Sequence, residues 1–205
     1  MWNDRYAQDG YQFGTRPSQF LTGRTGLLTA GQAALAVADG EGRNSVFLAE
    51  QGLRVTAMDI SPVGVDKARA LAETRGVTVD LRVADVLDWD WQPEAFDVVA
   101  AVFIQFLNPD QRASVFEGMV KTLRPGGRLL LHGYRPEQIE LGTGGPPVPD
   151  HLYTESLLRS AFGTLEIDEL ASYITDLEEG SGHLGPSALI DLVARKPMVD
   201  PGSTS

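Results

Sequence analysis

Apolar and polar residues change places along this chain in two rhythms, and each rhythm predicts an element. Residues 33–38 form a short apolar run that leads into glycines, and a polar-started segment opens at Arg43. Residues 53–59 alternate and end in an acid. Ser61-Pro62 then offers a side-chain cap and a proline for the first turn, both helix-start signals. Val65, Ala68, Leu71 and Ala72 give that helix one apolar face, and Gly76 stops it. Residues 77–83 alternate without a break, which predicts a strand near a sheet edge with one wet face. Residues 97–103 are apolar on both faces and predict a central parallel strand. Asn108-Pro109-Asp110 caps a helix whose Phe116, Met119, Val120 and Leu123 recur at helical spacing. Pro125-Gly126-Gly127 is read as its end, with the next strand over 128–133.

Strand and helix in turn imply right-handed crossovers and helices on both faces of a parallel sheet. After Pro149 comes a short helix carrying Leu157, Leu158, Ala161 and Phe162, then two strand-like runs at 164–174 and 188–194. With no crossover helix between them, those two runs pair antiparallel. The expected fold is α/β: a doubly wound, mostly parallel seven-stranded sheet, Rossmann-like, with an antiparallel C-terminal strand pair. Residues 142–149, rich in glycine and proline, form a mobile cover or a rigid connection. Residues 198–205 read as a flexible tail.

Composition removes several functions. Of 205 residues, 17 are Lys or Arg and 28 are Asp or Glu, a formal charge of −11. So acidic a chain is poorly suited to nucleic acid or an anionic membrane surface. The absence of cysteine excludes disulfides, a thiolate zinc site and a cysteine nucleophile. No secretory signal is visible in the first residues, and the longest apolar run, 98–104, falls far short of the ~20 residues that cross a bilayer. The expectation is a cytoplasmic protein with a small-molecule substrate, no nucleic-acid or membrane partner, and a monomeric or weakly dimeric state.

In open α/β sheets the ligand lies at the carboxyl ends of the strands. The first strand-to-helix turn carries Asp39-Gly40-Glu41-Gly42-Arg43-Asn44. Glycines let a backbone turn press against a ligand, and the helix start behind them offers free N–H groups; the same pair also serves as a plain turn. Asp59, 19 residues after Gly40, is placed to accept both ribose hydroxyls of an adenosine, or to act as a turn acid before Ser61. Asp85, just past the third strand, is placed for an adenine amino group or for a turn with Asp88 and Asp90. A dinucleotide fingerprint wants Gly or Ala where Ser45 stands, and Asp39 and Glu41 would repel a pyrophosphate. An acidic turn better suits a cofactor with an amino group and a sulfonium, and S-adenosyl-L-methionine has both. A nicotinamide-dependent oxidoreductase is the alternative.

The order Gly40-x-Gly42, Asp59, Asp85, Asp97-Val98-Val99 and Leu123-Arg124-Pro125-Gly126-Gly127 resembles the class I S-adenosylmethionine-dependent methyltransferases, over about residues 33–134. Trp2-Asn3-Asp4-Arg5-Tyr6, Tyr11, Phe13-Gly14-Thr15-Arg16-Pro17 and Glu179-Gly180-x-x-His183 add a resemblance to their tellurite-resistance and thiopurine methyltransferase-like branch. The resemblance implies methyl transfer within one domain over 1–197: a lid and helix at 1–30, a cofactor-binding core at 31–135, and a substrate-side loop, helix and strand pair at 136–197. It also implies a cofactor-binding set of Ala38, Asp39, Gly40, Gly42, Asp59, Ile60, Asp85, Val86 and Val102. One departure stands out. The family's first motif usually places an acid where Ala36 stands and a glycine where Ala38 stands. Asp39 is the stand-in for that acid, and a non-enzymatic binding module is a further alternative.

Methyl transfer from a sulfonium mainly requires alignment and exclusion of water. No acid–base pair is obvious in the sequence, which favours a soft acceptor such as a thiol, a selenol or tellurite. Acceptor-side candidates are Tyr11, Arg16, Gln105, His132, Tyr134, Arg135 and His183, each with a structural alternative; His132, for one, is also read as a satisfied core histidine. No metal site is expected, because His132, His151 and His183 lack ligand spacing.

Overall fold

The computed structural model describes residues 2–180 and 182–198. The expected tail at 198–205 therefore lies outside the described residues, apart from Met198. Helices α1 (Trp2–Tyr6) and α2 (Gln19–Thr22) precede a sheet built from β1 (Ala33–Val37), β2 (Arg54–Asp59), β3 (Val79–Val83), β4 (Phe96–Val102), β5 (Leu123–Tyr134), β6 (Glu166–Glu178) and β7 (Leu184–Arg195). Between the strands run α3 (Arg43–Glu50), α4 (Pro62–Arg75), α5 (Pro109–Thr122), α6 (Gln138–Leu141) and α7 (Glu155–Ala161). The strand order is β3-β2-β1-β4-β5-β7-β6. All pairings from β3 across to β5 are parallel, and β7 lies antiparallel to both β5 and β6. This is the seven-stranded, mostly parallel sheet that the residue pattern predicts.

Helix starts follow their local chemistry. The Ser61 hydroxyl accepts the Gly64 N–H at 3.1 Å, with Pro62 in the first turn of α4. Asn108 and Gln111 exchange side-chain and backbone bonds at the start of α5, satisfying two otherwise unpaired donors. Alternate residues of the central strands serve two cores. Leu35, Val37, Val99, Leu129 and Leu131 pack with Phe116 and Met119 of α5 and Leu158 of α7. Ala34, Val98, Ala100 and Leu130 face Phe20 and Leu21 of α2 and Phe47 and Leu48 of α3.

Two boundaries differ from the sequence reading. Leu123 is already extended, at φ −70° and ψ 136°, and pairs with Phe96, so Pro125-Gly126-Gly127 lies inside β5 rather than before it. The strand absorbs these residues through a register shift between Phe96 and Val98, while Gly126 and Gly127 bond the backbone of Lys196. The last two strands are also longer than the apolar runs that announce them. Their polar outer halves still pair as far as Glu178 and Leu184, which reduces the expected loop to a hairpin tip. This tip stands at the carboxyl end of β5, beside the glycine turn.

Candidate active site

The glycine turn links β1 to α3. Gly42 adopts φ +90°, and a Cβ there would lie 2.6 Å from the Ala68 Cβ, so glycine allows the turn to press against α4. Ala38 is left-handed as well, at φ +48°, although it bears a Cβ. Asp59 accepts the Gly40 N–H with Oδ2 and the Ser61 N–H with Oδ1, both at 2.9 Å. Its role as a turn acid is thus realised, and it holds the end of β2 against the glycine turn. Burial raises its pKa, against the pull of those two N–H groups.

Asp39 takes the Ser45 N–H on Oδ1 at 3.2 Å, while its buried Oδ2 has no hydrogen-bond partner. Burial pushes its carboxyl up to about 7, opposed by the bonds from Ser45. An unpaired carboxylate oxygen beside a helix start fits a ligand that brings an ammonium group. Asp85 accepts the Leu87 N–H at 2.9 Å, and Ile60, Leu87 and Phe106 stand exposed at the strand ends, an apolar surface suited to a base. Val86 instead sits in the core beneath them, and Val102 packs against the opposite core. The unpaired Asp39 oxygen and the exposed apolar strand ends fit S-adenosylmethionine, for which Asp39 would face the ammonium, the glycine turn the carboxylate, and Asp59 and Asp85 the sugar and base.

A packed aromatic cluster lies next to this turn. The His183 ring is stacked between Phe13, at 4.6 Å, and Phe103, at 4.1 Å. Its Nδ1 is 2.6 Å from the Tyr134 hydroxyl. Burial, then the Arg43 charge, then His132 lowers the His183 pKa to about 3, so the ring is neutral near pH 7. Burial and Glu179 raise the Tyr134 phenol, which stays protonated. Phe103 also meets His132 edge-on at 4.6 Å, and it holds φ +57°, a conformation that costs a residue with a Cβ about 1–2 kcal/mol. Strain of this kind gathers where geometry serves function.

His132 is fully buried, with Nδ1 2.6 Å from Asp191 Oδ1. Asp191 also takes Arg24 at 2.7 Å and Tyr173 at 3.1 Å, and Arg24 reaches Glu169 at 2.5 Å. Above the cluster, Arg43 forms a buried ion pair with Glu179 at 2.8 Å. The other Glu179 oxygen accepts the Ser18 hydroxyl at 3.2 Å and the Gln19 N–H at 2.8 Å. Gly180, at φ +72°, leaves the space that the Phe13 backbone fills. Gly144 bridges His183, so the expected cover is pinned at the cluster.

The structure gathers His132, Tyr134 and His183 and separates four other acceptor candidates. Tyr11 bonds the Lys67 carbonyl at 3.2 Å and packs with Val46 and Leu71 between α3 and α4. Exposed Arg16 donates to the Glu178 carbonyl at 3.3 Å. The Gln105 amide is consumed by the Tyr134 backbone, accepting its N–H at 2.5 Å and donating to its carbonyl at 2.8 Å. Arg135 pairs with Glu137 at 2.5 Å in a surface groove with Thr154 and Ser172. A strand-end position alone does not say which way a side chain turns. Sequence reasoning missed Tyr6, buried at the glycine turn, together with Phe13 and Phe103 as site residues, and Asp191. Asp191 left a signal: a lone acid within the apolar run 188–194 needs a partner. Among the described residues no cluster suited to a metal ion occurs.

Comparison with known proteins agrees with this geometry. Residues 34–127 match the family model described as a methyltransferase domain. A ubiquinone biosynthesis O-methyltransferase of Xanthomonas euvesicatoria is 38% identical over 108 residues, covering 52% of this chain and 45% of that protein. The chain spans under half the length of the first curated relatives it matches, 45% and 42%. A structure from work on the conversion of a disulfide bond into a thioacetal group during echinomycin biosynthesis superposes with a TM-score of 0.77 at 19% identity, covering 97% of this chain and 89% of that one. N-methyltransferase NodS from Bradyrhizobium japonicum, in complex with S-adenosyl-L-homocysteine, gives 0.71 at 19% identity, covering 96% of each chain. Residues 34–127 are thus similar to a methyltransferase domain, and the chain has the seven-stranded Rossmann-like fold of the S-adenosylmethionine-dependent methyltransferase structures it superposes on.

Proposed function

We propose that the chain transfers the methyl group of S-adenosylmethionine to a small molecule bearing a soft nucleophile, with a thiol as the leading case. The unpartnered Asp39 Oδ2 at the glycine turn carries the cofactor reading, because a buried carboxylate oxygen without a donor calls for a cationic ligand group. When bound, the cofactor supplies a methyl on a positively charged sulfur, which leaves with the electron pair of the broken bond. The chain's own residues supply the rest. Asp39, Asp59 and the glycine turn hold the donor. Phe13, Phe103 and His183 form an apolar, polarisable wall that excludes water beside it. Neutral His183 and protonated Tyr134 make no charged contact with the acceptor, which suits sulfur or selenium better than a hard oxyanion.

This arrangement supports a division into a lid at 1–30, a donor core at 31–135 and an acceptor side at 136–197. The net charge of −11 supports a small-molecule substrate without nucleic acid or anionic membrane, in the cytoplasm, with the chain working as a monomer or weak homodimer. No helix among the described residues is long and apolar enough to cross a membrane. The resemblance to the tellurite-resistance and thiopurine methyltransferase-like branch rests on the motifs around Phe13 and His183, which the structure brings into contact. A phenolic acceptor is the second reading, favoured by the His132–Asp191 pair and by the curated O-methyltransferase relatives.

The test is calorimetric titration with S-adenosylhomocysteine and with NAD, followed by labelled-donor assays on thiols, selenols, tellurite and phenols. Binding of the homocysteine form with transfer to thiols or selenols is expected. Binding of NAD instead would remove the cofactor reading, and transfer to phenols alone would remove the soft acceptor.

A further inference from the structure

His132 presents one nitrogen to a carboxylate and leaves the other without any partner. A carboxylate only accepts, so Nδ1 carries a proton and donates to Asp191 at 2.6 Å, which in the neutral ring leaves the lone pair on Nε2. That Nε2 is fully buried and makes no hydrogen bond. Leaving such an atom unpaired costs about 1–3 kcal/mol, so it calls for a reason. From this relationship we infer that His132, oriented by Asp191, removes the proton from a thiol acceptor as its sulfur takes the methyl group. The inference rests on the thiol reading proposed above.

Direction follows from the sheet. His132 lies on β5 directly across from Asp191 on β7, and its Nδ1 faces that strand. The two ring nitrogens diverge, so Nε2 is turned away from Asp191; the other neighbour of β5 is β4, with β1 beyond it. The carboxyl ends of those strands carry Phe103 and the glycine turn. Phe103 touches the imidazole edge-on, and Phe20 of α2 stacks on its face at 5.0 Å, which fixes the ring plane.

The charges around the ring agree. Behind it stand Asp191 on β7, Glu169 and Tyr173 on β6, and Arg24 after α2; His183 approaches from the hairpin tip, neutral near pH 7. Two carboxylates and one guanidinium leave this cluster one negative charge, and a proton on His132 brings it to zero. In the step itself the S–H bond breaks and its proton moves to Nε2. The electron pair left on sulfur forms the new bond to the methyl carbon as the carbon–sulfur bond of the sulfonium breaks and its pair stays on the neutral sulfur that leaves, and the imidazolium later returns its proton to water.

A thiol, with a pKa near 8.5, needs this help at neutral pH, whereas a selenol arrives ionised. The experiment compares a thiol and the selenol of the same skeleton as acceptors for the wild type and His132→Gln. The expected result is a kcat/KM lower by at least about 100-fold for the thiol, with less than threefold change for the selenol. Equal losses with both acceptors would make His132 a packing residue and overturn the inference while leaving the acceptor class intact. No transfer from the wild type to either acceptor would overturn the acceptor class and the base with it. Nitrogen-15 NMR of the donor-free wild type supplies a readout independent of any variant. A neutral His132 protonated at Nδ1 supports the assignment, and one protonated at Nε2 refutes it.

Discussion

Arg43 and Glu179 meet as a buried ion pair, Nη1 to Oε2 at 2.8 Å, and so tie the start of α3 to the tip of the last hairpin. The same carboxylate holds Ser18 and Gln19, so one acid joins three distant parts of the chain. Removing it strands a guanidinium in the interior. Glu179→Ala is expected to cost about 3–5 kcal/mol in chemical denaturation. Glu179→Gln, which keeps an acceptor for Ser18 and Gln19, is expected to cost less and to slow amide exchange at Gln19 relative to the alanine variant. Equal stability of the alanine variant and the wild type would show that the pair holds nothing.

Asp39 makes donor binding depend on pH. With its carboxyl raised to about 7 by burial, the donor-free protein protonates it as pH falls through that value, and a neutral acid no longer attracts an ammonium group. Affinity for S-adenosylhomocysteine is expected to weaken below pH 7, approaching tenfold per pH unit. Asp39→Asn is expected to bind about tenfold or more weakly at pH 8 and to show no such slope. The stability contribution runs the opposite way. It is fully present below the ordinary carboxylate pKa and is lost as pH rises through about 7, because ionising a buried acid is unfavourable. Calorimetry across pH 5.5–8 on both proteins checks both statements.

Ala38 stands at φ +48°, where a Cβ crowds the backbone. Ala38→Gly is expected to stabilise the protein by about 0.5–1 kcal/mol, the relief of strain exceeding the added freedom of the unfolded chain. That corresponds to a rise of roughly 2 °C in Tm. A lower Tm would mean that the alanine methyl packs better than its backbone suffers.

His183 predicts acid sensitivity. Its pKa falls from the ordinary value to about 3 on folding, so below pH 6.5 the unfolded chain takes up a proton that the folded one refuses. Stability from this group is full above pH 6.5 and is lost as pH falls toward 3. His183→Gln, which still offers the Tyr134 hydroxyl a partner, is expected to flatten the decline of Tm between pH 7 and pH 5. An unchanged slope would assign the decline to other groups.

The sheet was legible because strand and helix periods differ and because Ser61-Pro62 and Asn108-Pro109 mark helix starts without tertiary help. The glycine turn was legible for a related reason: its glycines and Asp59 act through local backbone geometry, which spacing encodes. The aromatic cluster was not. Phe13 meets His183 across 170 positions, and nothing near either residue announces the other. Gln105 shows the converse, a polar strand-end residue that the neighbouring strand consumes. The missed His132–Asp191 hydrogen bond has the same origin, since the two residues come together only through the antiparallel register of β5 and β7.

The hairpin of β6 and β7 thus has a bearing on how such a protein changes over generations. On the proposed reading donor recognition is written in the middle of the chain, while the acceptor wall joins Phe103 from that middle to two outer stretches, at Phe13 and His183, 170 positions apart. Exchange of those outer stretches would redirect the transferred carbon to new recipients and leave the inherited grip on the donor untouched. A scaffold arranged this way diversifies by replacing its margins rather than its centre.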